Sequence, residues 1–202
     1  MRIGLGLSCY PASGALDTFF GPAHSGRARM LLGPKDDEAY ALAVRPDGRL
    51  VTAGVTTKAG SGSVIAVVRH DANGSLDTSF GPTHSGIGRT PVGSDAKALA
   101  LALEPDGTIL AAGSAFNGVN SDFALVRHTT GGIIDSTFGI GGKGVPGVFA
   151  GHRAAGTTII PNSGLESQAG AIVCQPGGKP IVAGTIVSNT KPEYLVLFRH
   201  RS

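Results

Sequence analysis

Leu76-Asp77-Thr78-Ser79-Phe80-Gly81 is the stretch whose reading decides the fold, because the chain spells it three times. Leu16-Asp17-Thr18-Phe19-Phe20-Gly21 stands 60 residues before it, and Ile134-Asp135-Ser136-Thr137-Phe138-Gly139 stands 58 residues after it. Other words keep the same period. Arg45-Pro46-Asp47-Gly48 returns as Glu104-Pro105-Asp106-Gly107 and Gln175-Pro176-Gly177-Gly178; Ala53-Gly54 returns as Ala112-Gly113 and Ala183-Gly184; Arg69-His70 returns as Arg127-His128 and Arg199-His200. Such a period marks a repeat architecture, in which each unit buries its apolar faces by stacking on its neighbours. The 202 residues are expected to form a single repeat domain, with copies at about 11–70, 71–128 and 129–200 and with residues 1–32 supplying leftover outer strands.

Four strands can be read in each copy. Ala39-Tyr40-Ala41-Leu42-Ala43-Val44 alternates small with larger residues, and its equivalents are Ala98–Leu103 and Ala169–Cys174. Alternation of period two puts the two sets on opposite faces of a strand, and since neither face is charged both are expected to be buried. Pro46-Asp47-Gly48 then makes a turn: Pro presets φ, Asp bonds locally and Gly takes a left-handed position. The returning strand is Leu50–Gly54, matched by Ile109–Gly113 and Ile181–Gly184, so the first two strands form an antiparallel hairpin. Gly54, Gly113 and Gly184 end it in every copy and are expected to meet a close approach that disfavours a Cβ. A third strand, Val64–His70, Phe123–His128 or Tyr194–His200, ends in Arg-His, where it is expected to reach water. After the Asp-Thr-Ser-Phe-Gly word comes a short outer segment, Ile87–Val92, whose Pro91 suits an edge. Four antiparallel strands in about sixty residues describe one blade of a β-propeller.

The motifs that carry this reading also resemble a known family. The Pro-Asp-Gly turn with its following Ala-Gly, the strand Phe123-Ala124-Leu125-Val126-Arg127-His128 and the word Asn73-Gly74-Ser75-Leu76-Asp77-Thr78-Ser79-Phe80-Gly81 are similar to the bacterial delta-60 repeat, over nearly the whole chain from about Leu7 to His200. His70, His128 and His200 stand where that pattern usually has an aromatic, and the third copy reads Pro176-Gly177-Gly178. The resemblance implies a propeller-type repeat from a large, exported or cell-surface bacterial protein with no established activity. It brings no catalytic residues with it.

Composition narrows the function classes. Lys and Arg outnumber Asp and Glu by 17 to 14, and the basic residues are scattered, without the basic-aromatic interleaving that nucleic-acid binding needs. Cys9 and Cys174 occupy non-equivalent places and have no metal-ligand spacing, so two reduced thiols are expected. Ile3–Leu7 is too short an apolar run for a signal peptide, and no segment is long enough to span a membrane. Asp71, Asn73, Ser75 and Asp77 alternate like calcium ligands, but Gly74 and Pro82 stand wrongly for a helical calcium loop, and the turn reading is preferred. No G-x-S-x-G elbow or H-E-x-x-H helix occurs. No cofactor and no metal are expected.

The expected architecture is all-β and propeller-like: three four-stranded antiparallel blades, a partial ring or half of a larger one. Before the first full copy lie a third-strand remnant, Ile3–Tyr10, and an outer-strand candidate, Arg27–Leu32. Closed rings have about four to eight blades, so this unevenness implies self-association or membership of a longer propeller. A symmetric pair would have Arg27–Leu32 add to the third strand Tyr194–His200 of the partner. The third copy is longer, 71 residues from Pro105 to Pro176 against 59 from Pro46 to Pro105, and the excess is assigned to a loop at 151–164. Its His152, Arg153 and Asn162 are the candidate binding residues, for a protein or glycan ligand. Pro46, Pro105, Gly54, Gly113, Gly184, Asp17, Asp77 and Asp135 are read as structural. A non-enzymatic scaffold or interaction module is the leading expectation, and a propeller lyase or hydrolase acting on a glycan is the alternative.

Overall fold

A computed structural model describes residues 3–57, 62–138, 157–160, 165–176, 178–188 and 191–199. Their regular structure consists of thirteen strands: β1 (Leu5–Ser8), β2 (Arg27–Met30), β3 (Glu38–Val44), β4 (Leu50–Thr57), β5 (Ser63–His70), β6 (Ile87–Thr90), β7 (Asp95–Leu103), β8 (Ile109–Phe116), β9 (Ser121–His128), β10 (Thr157–Ile160), β11 (Glu166–Gln175), β12 (Lys179–Ser188) and β13 (Lys191–Arg199). They form four sheets, ordered β1-β2, β3-β4-β5-β6, β7-β8-β9-β10 and β11-β12-β13, and every pairing is antiparallel. The fold is all-β and propeller-like. The third blade differs from the four-stranded expectation, having three strands among the described residues.

In the first two blades the turn that the sequence announces joins the inner strand to the second. Gly48 and Gly107 have φ of +81° and +85°, and their N–H groups bond to the carbonyls of Arg45 and Glu104 at 2.9 Å. The Asp side chain tightens the return: Asp47 and Asp106 accept from the N–H of Arg49 and Thr108 at 3.1 and 2.9 Å.

The inner strand departs from simple alternation. In all three copies its pairing slips by one residue, between Ala39 and Ala41, Ala98 and Ala100, and Ala169 and Ala171, so that Tyr40, Leu99 and Gly170 are bulged. A bulge turns the strand over. In β7, Ala98 packs with Leu101 and Leu103 toward the first blade, whereas Ala100 and Ala102 pack toward the third. The bulge also explains the glycine opposite. A Cβ on Gly54, Gly113 or Gly184 would stand 1.9, 2.0 or 2.1 Å from the carbonyl oxygen of Glu38, Lys97 or Gln168.

Two cores lie between blades. Val51, Ala53, Ile65, Val67 and Phe80 of the first blade meet Ala96, Ala98, Ile109 and Ala111 of the second, while Leu110, Ala112, Phe123 and Leu125 of the second meet Ala169, Ile172 and Val182 of the third. The N-terminal pair forms a third contact, with Leu5, Leu7, Met30 and Leu32 against Ala66 and Val68 of β5. β1 and β2 thus follow the third and outer strands of a blade, and β2 is already paired along β1 within its own chain.

The extra residues of the third copy lie elsewhere than expected. Six positions separate Gly81 from Ile87 of β6, but eighteen separate Gly139 from Thr157 of β10. The excess precedes the outer strand, and β10 falls inside the segment 151–164 that copy length alone assigns to a loop after it.

Candidate functional site

The recurring word builds the joints between blades. Asp77 accepts from the N–H and hydroxyl of Ser79 at 2.9 and 2.6 Å through one oxygen, and from Arg69 Nε at 2.8 Å through the other. Arg69 also reaches the Thr130 carbonyl of the next blade at 2.6 Å and lies 4.7 Å over the ring of Phe80. Phe80 in turn sits where a Cβ on Gly132 would stand 2.6 Å away, and Gly81 N–H donates to the Gly131 carbonyl at 2.8 Å. The next copy repeats the geometry: Arg127 Nε meets Asp135 at 2.8 Å and its guanidinium lies 4.7 Å over Phe138. Burial pushes the Asp77 and Asp135 carboxyls up, but the hydrogen bonds from Ser79 and Thr137 and the neighbouring arginines outweigh it and hold both below the usual range.

The Arg-His strand ends of the first two copies are therefore inside the molecule, which corrects the expectation that they reach water, and the Arg199 side chain and His200 lie outside the described residues. Arg69 is buried, and His70 and His128 are 0% and 1% exposed. His128 Nε2 lies 2.9 Å from Thr90 Oγ1 of the preceding blade, and His70 Nε2 lies 3.3 Å from Thr52 Oγ1. Burial lowers both imidazoles to about 4.

A second joint escaped sequence reasoning. An acidic residue at or just before the foot of each inner strand accepts from an N–H at or just before the start of the preceding third strand: Asp36 from Ile3 at 2.7 Å, Asp95 from Ser63 at 2.8 Å, and Glu166 from Ser121 at 3.0 Å. The signal was an acid at a fixed offset before the Ala-rich strand, hidden by the change from Asp to Glu.

Crevices open along the contacts between blades. One, of about 310 Å³, is lined by Lys97, Ser114, Ser121, Glu166, Gln168 and Thr185 between the second and third blades. Another, of about 480 Å³, runs between the turns of the first two blades, where Arg45 donates to the Gly107 carbonyl at 3.1 Å. Cys174, at the end of β11, has its thiol pushed up to about 11 by burial and by the Glu104 and Asp106 carboxylates. It is a poor nucleophile at neutral pH. Cys9 and Cys174 are both free thiols.

Among the described residues the ends of the array are open. Leu101 and Leu103 pack against the first blade and Ile172 and Cys174 against the second, but their counterparts on β3, Leu42 and Val44, are 55% and 64% exposed. The expectation that both faces of the inner strand are buried fails in the first blade, because no inner strand precedes it among the described residues. Val173, on the opposite end of the array, is 58% exposed.

The candidate binding residues His152, Arg153 and Asn162 lie outside the described residues. The Asp71–Asp77 stretch is a turn, with Gly74 N–H bonded to the Asp71 carbonyl at 2.9 Å and Asp77 engaged by Arg69. Among the described residues no helix is long and apolar enough to cross a membrane. A search of the curated proteins finds no match. A family model described as a domain of unknown function (DUF5122), β-propeller, matches residues 45–80 and 104–138, which are the turn-to-word portions of the first two blades. Both repeats are thus similar to a β-propeller family, in agreement with the propeller-like order of the sheets.

Proposed function

We infer that this chain is a non-enzymatic propeller module that works as a scaffold or interaction surface in an exported or surface-associated bacterial protein. The observation that carries the reading is the open apolar face of β3, where Leu42 and Val44 are exposed while their counterparts in the later blades are packed. Contiguous apolar surface of this kind marks a place where another surface docks. The recurring charged groups, by contrast, are engaged within the array: Arg69 pairs with Asp77 and reaches the Thr130 carbonyl of the next blade, Arg127 pairs with Asp135, and Asp95 and Glu166 accept from strand N–H groups of the preceding blade.

The test is to titrate defined cell-envelope polysaccharides and isolated repeat copies onto the immobilised chain. Saturable binding without product formation, weakened by Leu42→Glu, is the expected result. Release of reducing ends or unsaturated sugars from a polysaccharide would overturn it in favour of a glycan hydrolase or lyase.

A further inference from the structure

The first joint of the array is built but incomplete. The word Leu16–Gly21 docks on the first blade as its later copies dock on theirs: Gly21 N–H donates to the Asn73 carbonyl at 2.7 Å, and Phe20 sits where a Cβ on Gly74 would stand 2.5 Å away. Asp17 caps its own turn, accepting from Phe19 N–H at 3.0 Å, as Asp77 accepts from Ser79. What differs is the residue that faces it. Asp77 N–H bonds to the Arg69 carbonyl at 3.0 Å and Asp135 N–H to the Arg127 carbonyl at 2.9 Å; Asp17 N–H bonds to the Cys9 carbonyl at 2.9 Å. Cys9 thus holds the position that belongs to the arginine, and a thiol supplies neither the ion pair nor the guanidinium that lies over Phe80 and Phe138 in the other joints.

The strand that leads to Cys9 is the shortest of its kind among the described residues. β1 has four residues with Gly4 and Gly6 in and beside it, while its equivalents β5, β9 and β13 have eight, eight and nine. Glycine costs a strand both entropy and packing. β13 carries Arg199 at the arginine position, opposite Ile181, as Arg69 is opposite Val51 and Arg127 opposite Leu110. Among the described residues no strand pairs with the outer edge of β13.

We propose that β1 is a placeholder, and that β13 of a second copy of this chain displaces it from β2, bringing Arg199 to Asp17. The partner's β11 and β12 follow β13 inward and cover Leu42 and Val44, and the same contact covers Val173 at the end of the array. The contact joins the tail of one copy to the head of the other, so two of them close a two-fold ring. Three blades from each copy give six, within the range in which propellers close. The arrangement differs from simple addition of β2 to a partner, because β2 is already paired and an exchange is needed. The proposal rests on the reading of the β3 face as an interaction surface.

Sedimentation velocity of the intact chain over a wide concentration range, with two self-incompatible variants, tests it. The wild type should show a monomer–dimer equilibrium with a compact dimer. Asp17→Arg alone and Arg199→Asp alone each place like charges at both contacts and should weaken the dimer at least tenfold. In their equimolar mixture, one contact of the mixed dimer joins the two substituted positions with their charges reversed, and the other keeps the native Asp17 and Arg199. Both contacts are then attractive, and the dimer should be restored. Cys9→Arg supplies the missing guanidinium from β1 and should shift the wild type toward monomer. A wild-type monomer at all concentrations, open chains of copies in place of dimers, or a mixture no better than either variant would each overturn the exchange. A monomer that still binds a polysaccharide or repeat copy through Leu42 would do so while leaving the interaction reading standing.

Discussion

Arg69 ends a strand yet does not end in solvent, because five N–H donors in one planar group satisfy Asp77, Ser79 and a carbonyl of the next blade at once. The histidine beside it has no such escape. His70 and His128 are buried neutral with Nδ1 unpartnered among the described residues, so the folded state resists taking up a proton that the unfolded chain accepts near pH 6.5. With the folded values lowered to about 4, the stability linked to these groups is present above about pH 6.5 and is lost as pH falls toward 4. The loss amounts to roughly 3 kcal/mol per histidine at the acid end. Urea midpoints measured from pH 7 to 4.5 should fall steadily, and His128→Gln should flatten the slope; an unchanged slope would contradict the assignment. Asp77 and Asp135, both held low, add their own loss only at the acid end of that window and below it. Gly113 makes the second residue-scale case. Its missing Cβ leaves room for the Lys97 carbonyl, so Gly113→Val should destabilise the fold by about 1–3 kcal/mol, read as a lower thermal midpoint.

At the scale of elements, the hairpins were legible because Pro-Asp-Gly dictates its own turn, and the blades were legible because the period repeats. The bulge was not. Ala-Tyr-Ala-Leu-Ala-Val reads as perfect alternation, and only the pairing partner reveals that Tyr40 is skipped and that Leu42 shares a face with Ala39. The acidic clamps were hidden for a related reason: Asp95 serves Ser63 across a blade boundary, and contact between residues 32 apart leaves no local pattern. Nor does apolar character locate the outer strand β10, whose segment looks like an insertion when only copy lengths are compared. If Asp95 is a clamp between blades, Asp95→Ala should leave Ser63 N–H without its acceptor and destabilise by about 1 kcal/mol. Hydrogen exchange at Ser63 should accelerate in this variant more than exchange in β9; equal change in both strands would argue for a global effect.

At the scale of the whole molecule, stability should follow neighbours, since a stacked repeat holds by its own strength plus that of its two interfaces. The second blade has both interfaces, with Ile109, Ala111 and Val126 turned to the first and Leu110, Ala112 and Leu125 to the third. Among the described residues the first blade is covered on its far side by the β1–β2 pair alone and the third has an open face at Val173. Protection against amide exchange should therefore peak in β8 and β9 and fall toward β3 and β11. Leu110 provides a way to cut one interface and keep the other. Leu110→Ala removes a fully buried side chain from the contact with the third blade and should cost about 2–5 kcal/mol there. The readout is selective: β11 and β12 should lose protection in this variant while β4 and β5, which hold the first interface, keep most of theirs. Uniform loss across all three blades would mean that the array unfolds as one cooperative body, and that its interfaces cannot be separated as the repeat geometry requires.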